Sequence, residues 1–157
     1  MIALDYRRIE PGEGHEAGLA LLAQMYRAHR GMDMPDIILE EWGKPRFVED
    51  PLHFSISHSK YHVFCALSDR PIGIDAEEQD RAINLRLSEK ILSPSEKTRY
   101  LAADDPREFL LRLWVLKEAA AKCTGKGLRG YPNHTDFSPE DPAIALIDGC
   151  FVAVIEE

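Results

Sequence analysis

Gly73-Ile74-Asp75-Ala76-Glu77 and Trp114-Val115-Leu116-Lys117-Glu118-Ala119-Ala120-Ala121-Lys122 are the stretches on which the reading turns. In the first, Ile72 to Glu77 reads as a short strand. Residues two apart share a face, so Asp75 and Glu77 leave together while Ile72, Ile74 and Ala76 turn to a core. Two carboxylates beside a phosphate oxygen are the hard donors Mg²⁺ takes. Such a pair taken alone is more often an exposed polar strand face. The second stretch lies in the strongest helical pattern, Pro106 to Cys123, with Phe109, Leu113, Leu116 and Ala120 on one stripe. Glu118 and Lys122 are four apart on another face. Alone they amount to a surface ion pair worth about 0.2–0.5 kcal/mol.

Outward from these stretches the chain organises itself. Upstream, Ile2, Leu4 and Tyr6 alternate as a strand. Residues 15–30 are helical, with Leu21, Leu22, Met25 and Ala28 on one face, and Gly31 closes the helix. Ile37 to Leu39 is a short strand and Gly43-Lys44-Pro45 a turn. Phe54 to Ser57 and Tyr61 to Leu67 are strands, the second with Val63, Cys65 and Leu67 alternating. Downstream, Asn84 to Ile91 is helical, and Ser93-Pro94-Ser95-Glu96 opens a helix with a capping box. Gly125 ends the long helix. Ala143 to Ile147 and Cys150 to Ile155 flank the hairpin turn Asp148-Gly149. The order strand, helix, strands, then strand, helices, strands gives an α+β class. It is read as one domain, 1–157, of two similar halves, about 1–70 and 71–157, packed as a pseudo-dimer.

The 157 residues carry 19 Lys and Arg against 27 Asp and Glu, a net charge of −8, which argues against general nucleic-acid binding. Residues 81–130 hold 11 of the basic residues and 6 of the acidic ones, a local net of +5. That block suits a polyanionic ligand or an acidic partner, or is a solvated helix face. The apolar runs are too short to span a membrane, and the first residues do not read as a secretory signal. Cys65, Cys123 and Cys150 are widely spaced and read as reduced thiols of a cytoplasmic protein.

In order along the chain stand Lys44-Pro45, Phe54-Ser55-Ile56-Ser57-His58-Ser59, Gly73 to Glu77, Trp114 to Lys122 and Gly125-Lys126-Gly127-Leu128. Jointly they resemble the 4′-phosphopantetheinyl transferase superfamily, of the surfactin-synthetase-activating type, from about Gly43 to Leu128. The resemblance implies a Mg²⁺-dependent enzyme that moves the phosphopantetheine arm of coenzyme A onto a serine of an acyl or peptidyl carrier protein. It implies Asp75, Glu77 and Glu118 as metal ligands, and Lys122 and Lys117 on the phosphates. It also implies Lys44 and Pro45 at the adenine, Ser57 and His58 at the coenzyme A phosphates, and Glu96 near the metal and the incoming serine. Glu118, Lys122 and Glu96 are the catalytic set, with Glu118 or Glu96 the base. Residues 13–23 lack the Lys or Arg that the family often uses on the coenzyme A 3′-phosphate, leaving His15, Arg27 or Arg30 for that task. The alternative is a non-catalytic coenzyme A or carrier-protein binding module. A monomer without nucleic-acid or membrane partners is expected.

Overall fold

The structure, a computed structural model, describes residues 1–127 and 134–157. Two three-stranded antiparallel sheets carry the chain. β1 (Ala3–Arg8), β5 (His62–Ser68) and β4 (His53–His58) form one, in that order. β6 (Ile72–Glu78), β8 (Cys150–Glu156) and β7 (Ile144–Ile147) form the other. Helix α1 (Gly14–Arg30) covers the first sheet. Helix α4 (Pro106–Thr124) covers the second, with a 3₁₀ turn (Leu85–Leu87), α2 (Ser88–Ile91) and α3 (Pro94–Leu101) beside it.

The layers follow from the strand alternation. On β5, Val63, Cys65 and Leu67 meet Leu21, Leu22, Met25 and Tyr26 of α1. Phe64 and Ala66, on its other face, meet Ile72, Ile74 and Ala76 of β6 and Cys150 and Val152 of β8. Phe151 and Ala153 then meet Leu111, Val115, Leu116 and Ala119 of α4. The section therefore reads helix, sheet, sheet, helix. β5 is buried on both faces, which is why its residues are apolar almost without break.

Most elements lie where the sequence places them. Ser93 and Glu96 form the expected capping box under Pro94, and Gly31 and Gly125 end α1 and α4 at φ of 73° and 75°. Asp148 and Gly149 both take positive φ, 48° and 77°, as a two-residue hairpin turn requires. Ala28, read on the buried face of α1, is exposed, Asn84 to Ile91 is the 3₁₀ turn followed by α2 rather than one helix, and two further readings change. Pro45 to Phe47 is a strand, β3, which pairs with β2 (Ile37–Leu39), and the turn between them is Glu40 to Gly43, closed by the Gly43 amide donating to the Glu40 carbonyl (2.9 Å). More important, the Gly73, Asp75 and Glu77 face of β6 is not exposed. Helix α4 lies across it, and Asp75 is 6% accessible. The contact closes at Gly73, where a Cβ would stand 1.9 Å from the Ala119 carbonyl oxygen and 2.4 Å from the Cys123 nitrogen.

Candidate active site

Strands β4 and β6 meet along a seam that the sheet ladders do not bridge. The alternation of Phe54-Ser55-Ile56-Ser57 sends two hydroxyls into it. The Ile74 amide donates to Ser55 Oγ (3.0 Å) and the Ala76 amide to Ser57 Oγ (3.1 Å). Ser57 Oγ in turn donates to Asp75 Oδ1 (3.2 Å). From α4, the Lys122 ammonium reaches Asp75 Oδ1 (3.2 Å), the Ile74 carbonyl (3.0 Å) and the Ile56 carbonyl (3.4 Å). Lys122 thus ties both strands to the helix, and pairs with Asp75 rather than making the i,i+4 pair with Glu118 that spacing alone suggests.

Three carboxylates are crowded here. Burial pushes the Asp75 carboxyl up from its ordinary range, against the pull of Lys122. Glu77 is pushed up to about 7 by burial and then by the charge of Asp75, although Arg81 pairs with it and Trp114 donates to it. Glu118 is raised by burial and again by Asp75. Mutual repulsion among half-buried carboxylates is what a bound cation would relieve. Asp75 Oδ2 is buried and has no hydrogen-bond partner among the described residues. An all-oxygen donor set with one such orphaned oxygen fits a hard divalent ion such as Mg²⁺.

Two cavities border the seam. One, of about 290 Å³, is lined by Trp42, Lys44, Pro45, Phe54, Ile56 and Lys122 among others. The second, of about 680 Å³, shares Pro45, Phe54 and Ile56 and adds His15 and His58. Pro45 and His58 therefore each line a cavity. His58 packs on the start of α1, where a Cβ on Gly14 would stand 2.4 Å from its ring. Lys44 lines the smaller cavity, but its ammonium is engaged with backbone. Its ammonium donates to the carbonyls of Cys123 (2.7 Å) and Ile72 (3.3 Å), capping α4, and burial lowers its pKa. Ser57 spends its hydroxyl on Asp75 and Ala76 and so positions the carboxylate. Ser55, which does the same for β6, is a site residue sequence reasoning missed. Its signal was the every-second-residue serine pattern. Of the three candidates for the 3′-phosphate, Arg27 pairs with Asp33 and Arg30 with Asp50, and His15 is the one at a cavity wall.

Glu96 and Lys117 are brought together elsewhere. They form an ion pair of 2.7 Å with side chains 0% and 1% accessible. Lys117 also donates to the Thr135 carbonyl (2.7 Å), and Glu96 accepts from the Ser93 and Phe137 amides (2.8 and 2.6 Å). The pair thus fastens residues 135–137 onto α3 and α4. Its burial is at odds with a direct part for either side chain on phosphate or serine. Gln at position 96 keeps the capping bond but leaves the Lys117 ammonium without its counter-charge. Glu96→Gln is therefore expected to lower stability by about 1–3 kcal/mol in a denaturant melt, and kcat of the folded protein is expected to change less than threefold. A tenfold fall in kcat at unchanged stability would return Glu96 to the catalytic set. Leu128, the last residue of the Gly125 motif, lies outside the described residues.

Residues 71–147 match the family model described as 4′-phosphopantetheinyl transferase superfamily. The chain is 39% identical to 4′-phosphopantetheinyl transferase Sfp of Bacillus subtilis over 92 residues, 57% of this chain and 41% of Sfp. It is 35% identical to 4′-phosphopantetheinyl transferase psf-1 of Bacillus pumilus over 149 residues, 91% of this chain and 61% of psf-1. Over 42 residues, 27% of this chain and 32% of the relative, it is 50% identical to a holo-[acyl-carrier-protein] synthase of Thiobacillus denitrificans. The chain spans less than two thirds of the length of each of these relatives.

Proposed function

We propose, from the premise that this chain belongs to the 4′-phosphopantetheinyl transferase superfamily and is a homologue of the Bacillus transferases, that it transfers 4′-phosphopantetheine from coenzyme A to a serine of a carrier protein. The observation that carries the proposal is Asp75, buried at the β4–β6 seam with Lys122 on one oxygen and the other unpartnered among the described residues. The serine oxygen forms a bond to the β-phosphorus of coenzyme A. The bond from that phosphorus to the bridging oxygen breaks, and 3′,5′-ADP leaves with the electron pair. Such phosphoryl transfer needs position and charge neutralisation above all. Mg²⁺ held by Asp75, Glu77 and Glu118 would supply positive charge at the diphosphate. Lys122 stands beside Asp75 to neutralise the leaving group. Glu118, beside Asp75, is the better candidate to take the serine proton, because Glu96 is buried in its pair with Lys117. The adenine is assigned to the smaller cavity, walled by both Lys44 and Pro45. Release of 3′,5′-ADP should require both coenzyme A and an apo carrier protein. Release at the same rate without the carrier would sink the proposal.

One observation favours a second reading, a binding module without turnover. Lys44 and Lys117, both assigned to coenzyme A, are committed to protein partners. Tight coenzyme A binding with no 3′,5′-ADP release would support that reading.

The two halves, 1–70 and 71–157, are read as a pseudo-dimer within a single domain. In support, each sheet sets its first strand beside its last and its middle strand outermost. A cytoplasmic monomer acting on neither nucleic acid nor membrane is proposed with it. No helix among the described residues is long and apolar enough to cross a membrane.

Two expected results belong with this reading. Glu77, whose carboxyl titrates at about 7 rather than the ordinary 4.5, must lose a proton to bind metal. Apparent Mg²⁺ affinity should rise with pH through about 7 and then level off, by titration calorimetry. The sign for stability is opposite. A carboxyl with a raised folded pKa binds its proton more tightly in the native chain, so its contribution is present at low pH and lost as pH rises through about 7. Asp50 and Glu156, lowered to about 2, stay ionised through that window and do not mask it. Melts in chelator that show no fall from about pH 5 to 8 would contradict the Glu77 shift.

The carrier protein is assigned to the basic block. Arg81, Arg86, Lys90 and Trp114 line a cleft of about 510 Å³, and Arg81 pairs with Glu77 at its edge. Lys90 and Lys97 are exposed. The double reversal Lys90→Glu with Lys97→Glu should raise KM for an acidic carrier protein about tenfold at low salt, leave KM for coenzyme A within twofold, and lose its effect as salt rises. Equal rises in both KM values would assign the block to coenzyme A instead.

A further inference from the structure

We infer that His62, Glu78 and Cys150 form a second metal site, for a soft divalent transition metal such as Zn²⁺, distinct from the carboxylates around Asp75. Among the described residues, this is the group of three ligating side chains whose donor atoms all lie within 4.8 Å of one another. The ligands come from the ends of three strands. His62 opens β5, Glu78 ends β6 and Cys150 opens β8, with Glu78 and Cys150 opposite each other in the ladder. Alternation along β6 turns Glu78 away from Glu77, so the two groups lie on opposite faces of one strand.

The surroundings are ordered for ligation. Glu78 Oε1 accepts from Ser59 Oγ (2.5 Å) and the Tyr61 amide (2.9 Å), which fixes the carboxylate. His62 Nε2 lies 2.9 Å from Asp148 Oδ2, and Asp148 is clasped by Arg8 through two bonds of 2.6 and 2.7 Å. With its hydrogen on Nε2, donated to Asp148, the imidazole turns the Nδ1 lone pair toward Glu78, 3.4 Å away. A carboxylate behind a ligating histidine is the arrangement that holds the ring and raises its basicity in zinc proteins. The donor set of one sulfur, one nitrogen and one oxygen selects zinc over magnesium. Three protein ligands leave a fourth position. Of the three ligands, Glu78 also lines a cleft of about 560 Å³, with Ser59, Tyr61 and Arg81 among others. Binding forms the Cys150 sulfur–metal bond, and the thiol proton passes to solvent. The site would pin the start of β5 to the end of β6 and the start of β8, across the two halves of the chain. The inference does not rest on the transferase reading.

The test is a Co²⁺ titration of the full chain in Mg²⁺ sufficient to fill the carboxylate site. One equivalent should produce a near-ultraviolet thiolate-to-cobalt absorption that Zn²⁺ abolishes by displacement. Cys150→Ser should lose the band, and His62→Gln should weaken binding at least tenfold. Asp148→Asn, which suits the positive-φ turn, should weaken it about tenfold by removing the carboxylate behind the ring. Asp75→Asn should leave the band unchanged. No band from the native chain, or a band that persists in Cys150→Ser, would overturn the inference and leave His62 as an ion-pairing bridge between Glu78 and Asp148. The native chain's spectrum decides the matter even if a variant fails to fold.

Discussion

Asp75→Asn is expected to reduce transfer at least about a hundredfold while leaving the metal-free protein no less stable. Loss of activity follows because Asp75 is the carboxylate on which the site converges. Ser57 and Lys122 both donate to its Oδ1, and its Oδ2 is the orphaned oxygen offered to a cation. Losing one preorganised charge at a phosphoryl-transfer centre costs on the order of a hundredfold or more. The stability argument runs the other way. Burial already disfavours the ionised Asp75 carboxyl, which crowds Glu77 and Glu118. The amide keeps an acceptor for Lys122, whose ammonium side chain, unlike that of Lys117, is a third exposed and stays solvated, and it removes a carboxylate charge that burial disfavours. Thermal melts with and without Mg²⁺ separate the two effects. The native chain should gain melting temperature on adding Mg²⁺, and Asp75→Asn should gain little or none. A variant that loses activity by unfolding, or that keeps native turnover, would remove Asp75 from the metal site. Asp75→Ala is the poorer probe. With Asp75 buried, truncation strands the Lys122 ammonium at the seam.

Gly73→Ala is expected to cost about 3 kcal/mol or more and to take activity down with it. The obstruction is backbone, the Ala119 carbonyl at 1.9 Å and the Cys123 nitrogen at 2.4 Å, so no rotamer change relieves it. Helix α4 must lift from β6. Such a loss is a large share of the roughly 5–15 kcal/mol that holds a domain together. The movement also separates Glu118 and Lys122 on the helix from Asp75 on the strand. Urea melts report the first effect, and kcat of the folded fraction the second. A loss under about 0.5 kcal/mol would mean that helix and strand are not held at this distance.

Gly73 also shows where sequence reading stops. Period-two alternation correctly put Asp75 and Glu77 on one face of β6, and helical spacing put Glu118 and Lys122 on one face of α4. Periodicity says which side chains share a face. It does not say what covers that face, and so the burial of Asp75 under α4 was not legible. The same gap explains Glu96 and Lys117. The capping box was plain in Ser93-Pro94-Ser95-Glu96, but a partner brought from α4 and a clasp on residues 135–137 are long-range facts. Ser57 is a third case. Its hydroxyl turns to Asp75 because β4 and β6 run edge to edge, a neighbour relation that local pattern does not carry. Conversely, the capped start of α3, the glycine stops at Gly31 and Gly125 and the Asp148-Gly149 turn were legible because each is settled within a few residues.

The most direct measurement of the transferase assignment is the mass of an apo carrier protein after incubation with this chain, coenzyme A and Mg²⁺, with fragmentation to locate any change. The expected result is a gain of one phosphopantetheine arm on a single serine, abolished by chelator and by Asp75→Asn. A carrier protein of unchanged mass, while coenzyme A is bound and the chain is folded, would contradict it.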